Sequence, residues 1–221
     1  MLLTPVSAPE DALSPAMLMI EEFSHRALND YTGAIGMLHL AANKLGDPAA
    51  RAALQDAAQS LHDRAQTFRV LRAPSEKGLL NLADYLQTVC QTLSSACLAG
   101  TGIRLTLIRE TIQLPADQCW RIGLALSELI MNAARHGLRW EEGDIRVEMS
   151  VGDIEVCCAV TDNGCPTALP GVGRGRRIIS ALVAGMGGRA YWTFGPDGAC
   201  ATVQIPRPTN SIFDFTAISQ R

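Results

Sequence analysis

Gly46-Asp47-Pro48 separates two long stretches of helical periodicity, and this break commits the first third of the chain to a helical hairpin. Upstream, over residues 15–45, apolar Met17, Ile20, Phe23, Ala27, Tyr31, Ile35, Leu38 and Leu45 return at helical intervals. Downstream, to about residue 72, Leu54, Ala57, Ala58, Leu61, Ala65 and Phe68 form a second stripe. Proline is tolerated in the first turn of a helix, where its missing N–H would be unpaired anyway, so Pro48 suits a helix start. Two long helices joined by so short a break fold back antiparallel. A lone pair cannot bury both stripes. A second copy of the chain would cover what remains, which makes a homodimer with a four-helix bundle the expectation.

Beyond residue 75 the pattern changes. Ala73-Pro74-Ser75-Glu76-Lys77-Gly78 reads as a linker. A helix over about 81–98 follows, then strands at 103–108 and 112–114 and a helix opened by Pro115. Strands at 145–150 and 154–161, a helix at 176–186 and strands at 189–194 and 199–205 complete the series. Such mixing implies an α/β sandwich, with helices on one face of a largely antiparallel sheet. The expected organisation is α+β: a loose segment 1–14, a hairpin domain 15–73, a sandwich domain 79–206 and a tail 207–221.

Composition excludes several classes. A net charge of −3 argues against nucleic acid as a partner. No apolar run approaches the roughly 20 residues of a membrane span, so no membrane partner is expected. The 7 cysteines are odd in number and none forms a CxxC, as in reduced thiols of a cytoplasmic protein.

Chemistry concentrates in three segments. In ELIMNAARHG, Glu128, Asn132 and His136 recur every fourth residue, and at roughly 100° per residue they fall within about 80° on one helical face. Thr161-Asp162-Asn163-Gly164 ends a strand and projects a carboxylate from a turn. Gly171-Val172-Gly173-Arg174-Gly175-Arg176-Arg177 leads into a helix, where close-packed amides and the helix N-terminus favour anions. In this order the segments describe a nucleotide site, one carboxylate reading the base and the glycine loop surrounding the phosphates.

These segments, across about 79–206, resemble the GHKL (Bergerat) ATP-binding domain shared by histidine kinases, type II topoisomerases and MutL proteins. ELIMNAARHG resembles its N box, which implies Asn132 as the Mg²⁺ ligand, Glu128 as a polarising or general-base group, and His136 near the phosphates. Mg²⁺ prefers oxygen ligands and retains waters, which suits one amide and one carboxylate. TDNG resembles the G1 box, implying that Asp162 accepts from the adenine amino group beside Gly164. GVGRGRRII resembles the G2 box, with Gly171, Gly173 and Gly175 at its glycine positions.

FSHRALN resembles the phosphoacceptor box of histidine kinases marked by HRxxN, related to the HWE group. That resemblance implies His25 as phosphoacceptor, with an acid such as Glu22 or Glu21 taking its proton. Arg26 would steady phosphate charge and, with Asn29, face the partner. The chain departs from the pattern at Pro166, where a glycine is usual, and at Arg174 and Arg176, where leucines are usual. These arginines either contact phosphates or mark an altered pocket. The expected function is a two-component histidine kinase core that uses ATP and Mg²⁺ to phosphorylate His25. It would pass the phosphoryl group to a response-regulator receiver aspartate, with input from a separate sensor or upstream kinase. The alternative is a histidine phosphotransferase with a degenerate ATP domain, relaying phosphoryl groups between receivers. An ATP-binding regulator that sequesters a partner, as anti-sigma factors do, would need no phosphoacceptor helix.

Overall fold

A computed structural model describes residues 15–71, 78–165 and 174–208. Residues 1–14 and most of the expected tail and linker lie outside the described residues. The chain divides into two compact units, Met1–Arg72 and Ala73–Arg221.

In the first unit, α1 (Pro15–Lys44) and α2 (Pro48–Val70) pack against each other as a hairpin. The break is fixed locally. Asp47 caps α2, its Oδ1 accepting from the Ala49 N–H at 3.0 Å, and Pro48 occupies the first turn. Arg51 donates to the Leu45 carbonyl at 2.7 Å and so ties the end of one helix to the start of the next. Among the described residues, the fully buried ones of the seam are Ala42, Ala58 and Ala65, methyl groups that bury little area each. Met37 and Leu40 on α1 remain 68% and 64% exposed.

The second unit runs β1 (Leu79–Asn81), α3 (Leu82–Leu93), β2 (Ile103–Ile108), β3 (Gln113–Pro115), α4 (Ala116–Asn132), β4 (Gly143–Val151), β5 (Glu155–Asp162), α5 (Arg174–Ala184), β6 (Arg189–Gly195) and β7 (Gly198–Pro206). Its main sheet has the order β2-β4-β5-β7-β6, with β2 and β4 parallel and the other neighbours antiparallel. Alternation along the strands sends Ile145, Val147 and Met149 of β4, Val156, Cys158 and Val160 of β5, and Ala201, Val203 and Ile205 of β7 into the core. Leu86, Val89, Trp120, Ile122, Leu126, Ile130, Ile179 and Val183 cover them from the helices. The opposite face is polar, with ion pairs Arg104–Asp144 and Arg146–Glu148 at 2.6 Å each.

Two features differ from the sequence reading. β1 is a strand, paired antiparallel with β3 through Leu80↔Leu114; three residues are too few for periodicity to reveal. Both long helices of this unit also end in a wider π turn, at Ser94–Leu98 after α3 and Ala133–Gly137 after α4.

The β6–β7 hairpin closes through Gly195↔Gly198. Gly198 has φ +136°, and a Cβ there would collide with the Asp162 carbonyl and lie 3.2 Å from the Asn163 Cα. Gly195 meets nothing closer than 3.8 Å. Gly198→Ala is therefore expected to cost about 1–3 kcal/mol, a fall in Tm of roughly 3–10 °C by thermal denaturation. Gly195→Ala should stay within about 0.5 kcal/mol of the parent.

Candidate functional site

Helix α4 buries Trp120, Ile122, Leu126, Leu129 and Ile130, which leaves Glu128 and Asn132 half-buried on the adjoining face. Asn132 Nδ2 donates to Glu128 Oε1 at 3.4 Å. The helix then widens: the Leu138 N–H bonds to the Ala133 carbonyl, five residues back, at 2.8 Å. His136 sits in this turn with its ring exposed, so the even helical spacing expected for the three polar groups ends at Asn132. Single π turns of this kind recur at functional sites.

Asp162 closes β5 at 6% exposure and is the one buried carboxylate among the described residues. Its Oδ1 accepts from the Gly164 N–H at 3.0 Å. Burial pushes its carboxyl above the ordinary carboxylate range, while the N–H groups of Gly164 and Ala199 pull it back. Glycine makes the packing possible. A Cβ on Gly137 would collide with the Asp162 carboxylate, and one on Gly164 with the Gly137 carbonyl. ELIMNAARHG and TDNG, separate in sequence, thus end on each other.

Helix α5 begins against the Glu128–Asn132 pair. A Cβ on Gly175 would stand 2.5 Å from Glu128 Oε1 and 3.4 Å from Asn132 Nδ2. Gly171 and Gly173 lie outside the described residues. Between α4, α5 and the sheet is a cavity of about 410 Å³ that Glu128, Asn132, His136, Asp162 and Gly175 all line. Gly164 stands behind Asp162 rather than on the cavity wall.

The apolar wall was not read from the sequence. Trp192 and Phe194 of β6 line the cavity beside Ala201 and Ala199 of β7, their register partners. The alternation Tyr191-Trp192-Thr193-Phe194 carries that signal, because residues two apart share a strand face. Arg176 lies over both rings, its Cζ 5.5 Å from the Trp192 centroid and 4.8 Å from that of Phe194. A slot with aromatic and aliphatic walls, a buried acceptor, a polar amide–carboxylate pair and cationic groups suits a flat base carrying an anionic tail. Among the described residues no group of three or more His, Cys, Asp or Glu is placed to hold a metal. A magnesium ion fits this donor set when a ligand's phosphates supply further oxygens beside Asn132 and Glu128.

On the hairpin, His25 is exposed, and its Nδ1 lies 3.3 Å from Asn29 Nδ2. Arg26 Nε donates to Glu22 Oε1 at 2.7 Å, one turn back on the same helix. That guanidinium, with a smaller contribution from His25, holds the Glu22 carboxyl below the usual carboxylate range. The acid expected to serve His25 is thus hydrogen-bonded to Arg26.

Residues 84–187 match the model of the histidine kinase-like ATPase domain. Over 203 residues the chain is 24% identical to blue-light-activated histidine kinase 2 of Erythrobacter litoralis, covering 85% of this chain and 56% of that protein. The chain therefore spans little more than half the length of this relative. The histidine kinase domain of the Erythrobacter litoralis EL346 blue-light activated histidine kinase has the same fold, with a TM-score of 0.55 and 21% identity over 80% of this chain and 94% of that one. A bacterial phosphotransferase shares the fold with a TM-score of 0.64 and 12% identity, over 89% of this chain and 100% of that one. The family match is thus confined to residues 84–187, where the chain is similar to the histidine kinase-like ATPase domain.

Proposed function

We propose that this protein is a two-component histidine kinase core: it binds Mg-ATP, phosphorylates His25 and transfers the phosphoryl group to a receiver aspartate of a response regulator. The observation that carries this reading is the single cavity lined by buried Asp162, the Glu128–Asn132 pair and the first turn of α5. Asp162 accepts from the adenine amino group in an apolar slot, where a charged hydrogen bond is strengthened by low dielectric. Gly164 lets the turn pack on Gly137 behind Asp162, Gly175 seats α5 on Glu128, and His136 stands at the exposed rim by the phosphates. Asn132, with Glu128 beside it, would hold a magnesium ion, which would supply neutralisation of the phosphate charge.

His25 attacks through a ring nitrogen that must hold a free lone pair. A half-turn of the Asn29 amide brings its oxygen to Nδ1–H, and this tautomer frees Nε2. The Nε2 lone pair forms the N–P bond as the bond from γ-phosphorus to the bridging oxygen breaks and ADP leaves. The ring is then cationic. Glu22, released from Arg26, takes the Nδ1 proton, and Arg26 turns to the phosphoryl oxygens. Transfer to the receiver breaks N–P and forms O–P on the aspartate.

The hairpin favours a homodimer, because its own seam buries alanines and leaves Met37 and Leu40 exposed. No helix among the described residues is long and apolar enough to cross a membrane. The second reading, a histidine phosphotransferase loaded by a receiver instead of ATP, is favoured by Arg176 lying across the aromatic wall.

Four measurements test this. Incubation with γ-labelled ATP and Mg²⁺ is expected to give acid-labile label on the parent, and at least about 100-fold less on His25→Ala and Asn132→Ala. An unlabelled parent whose His25 is loaded by a phosphorylated receiver would establish the second reading. Asp162→Asn is expected to weaken ATP binding by about 10–100-fold, the value of one hydrogen bond to a charged group. The same variant should not lose stability. Because the folded-state carboxyl titrates above its unfolded value, the folded protein binds the extra proton, and stability falls as pH rises through that window. Melting of Asp162→Asn against the parent should therefore show a difference that moves in the variant's favour with rising pH. Finally, light scattering should give twice the chain mass, and Met37→Glu with Leu40→Glu should shift it to the monomer.

A further inference from the structure

The cation at the cavity wall is held in an unusual way. Arg176 is half-buried in the first turn of α5, and its guanidinium carbon lies over two rings, 5.5 Å from the Trp192 centroid and 4.8 Å from the Phe194 centroid. Attraction to the ring faces holds a cation without the oxygen acceptors that a salt bridge would supply to its N–H donors. Among the described residues no ion pair involves Arg176. Both acids that line the cavity have other partners, Glu128 accepting from Asn132 and Asp162 from Gly164. The charge is therefore fixed in place by packing while its hydrogen-bonding capacity stays open. A salt bridge would fix the group and consume the donors together.

One other guanidinium lines the cavity, that of Arg135, but it is exposed and solvent screens it. Arg176 is the half-buried one, at the start of an 11-residue helix whose N-terminal amides add to the positive potential. Its planar fork matches a phosphate with two parallel hydrogen bonds, which an ammonium cannot reproduce.

We propose that Arg176 is a phosphate-binding, specificity-determining residue that makes the cavity select nucleoside polyphosphates over the bare nucleoside. Trp192 and Phe194 act as its cradle, keeping the guanidinium extended along the wall. This rests on the nucleotide reading above and assigns the anionic end of the ligand to a side chain outside the N-box amide and acid. It also gives the arginine in the glycine-rich segment a positive task.

The test uses the full chain and three proteins, the parent, Arg176→Leu and Arg176→Lys, each titrated with Mg-ATP by calorimetry and with adenosine to millimolar concentration by NMR shifts. Arg176→Leu is expected to bind ATP about 10–100-fold more weakly, with adenosine binding within about twofold of the parent. Arg176→Lys should recover part of the ATP affinity, because it restores the charge without the fork. Retained adenosine binding also shows that the variant is folded. ATP affinity unchanged in Arg176→Leu, or ATP and adenosine weakened equally, would overturn the inference and leave the nucleotide reading standing. A parent that binds neither ligand would overturn both.

Discussion

The second unit is organised around one buried carboxylate. Taking a carboxylate out of water is costly unless hydrogen bonds replace the lost solvent, and Asp162 meets that demand with backbone. Gly164 donates to Oδ1, the Ala199 N–H supports the charge, and the glycine at 137 packs against the carboxylate where any side chain would collide. Gly198 passes so close to the Asp162 carbonyl that it too must lack a Cβ. The end of α4, the end of β5 and the β6–β7 turn are thereby drawn to one residue. Because burial still raises its carboxyl above the ordinary range, the group is under-compensated when alone, and a ligand N–H donor would complete it.

From that junction the cavity acquires two chemically different ends. The sheet contributes small or flat apolar surfaces, Val160, Ala199, Ala201, Trp192 and Phe194, which exclude water without filling the space. The helices contribute polarity: Glu128 and Asn132 from α4, and the first turn of α5 seated on them through Gly175. Helices on only one face of the sheet make this possible. The covered face is dry enough for hydrogen bonds to count, and the helix ends open at its rim.

The parts legible in the sequence were those with local causes. The hairpin break is written in the Asp47 cap and Pro48, and β4 in the strict alternation Ile145-Arg146-Val147-Glu148-Met149. The polar positions Glu128, Asn132, His136, Asp162 and Gly175 stood out because a carboxylate, an amide and glycines interrupt segments otherwise built for burial, and the structure brings them to one cavity. What escaped depended on distant contacts. The parallel β2–β4 pairing joins strands separated by a helix, and nothing local encodes it. The π turn at Ala133–Gly137 has ordinary helix-forming residues; its end is packed by Gly137 against Asp162. Arg176 was legible only as an arginine that either contacts phosphates or marks an altered pocket, since the two rings it lies over belong to a strand that follows α5.

Under the proposed function, burial would divide the labour between the two units. Recognition of a base requires groups withheld from water, and Asp162 at 6% exposure is such a group. A phosphoryl carrier requires the reverse, because it must meet a donor and then an acceptor, each bringing its own pocket. His25 fits that condition: it is exposed on α1, with Asn29 one turn away and Glu22 and Arg26 beside it as a pair of opposite charges. Nothing in that arrangement depends on where the phosphoryl group originates. The two functional readings therefore diverge only at the cavity, and there the deciding question is physical. A guanidinium stacked on Trp192 and Phe194 either gives its free donors to the phosphates of an entering nucleotide or occupies the wall against which the base would lie. The first outcome leaves the stack intact and the cavity working as an ATP site. The second makes the same stack a substitute for the ligand, and leaves His25 to draw its phosphoryl group from another protein.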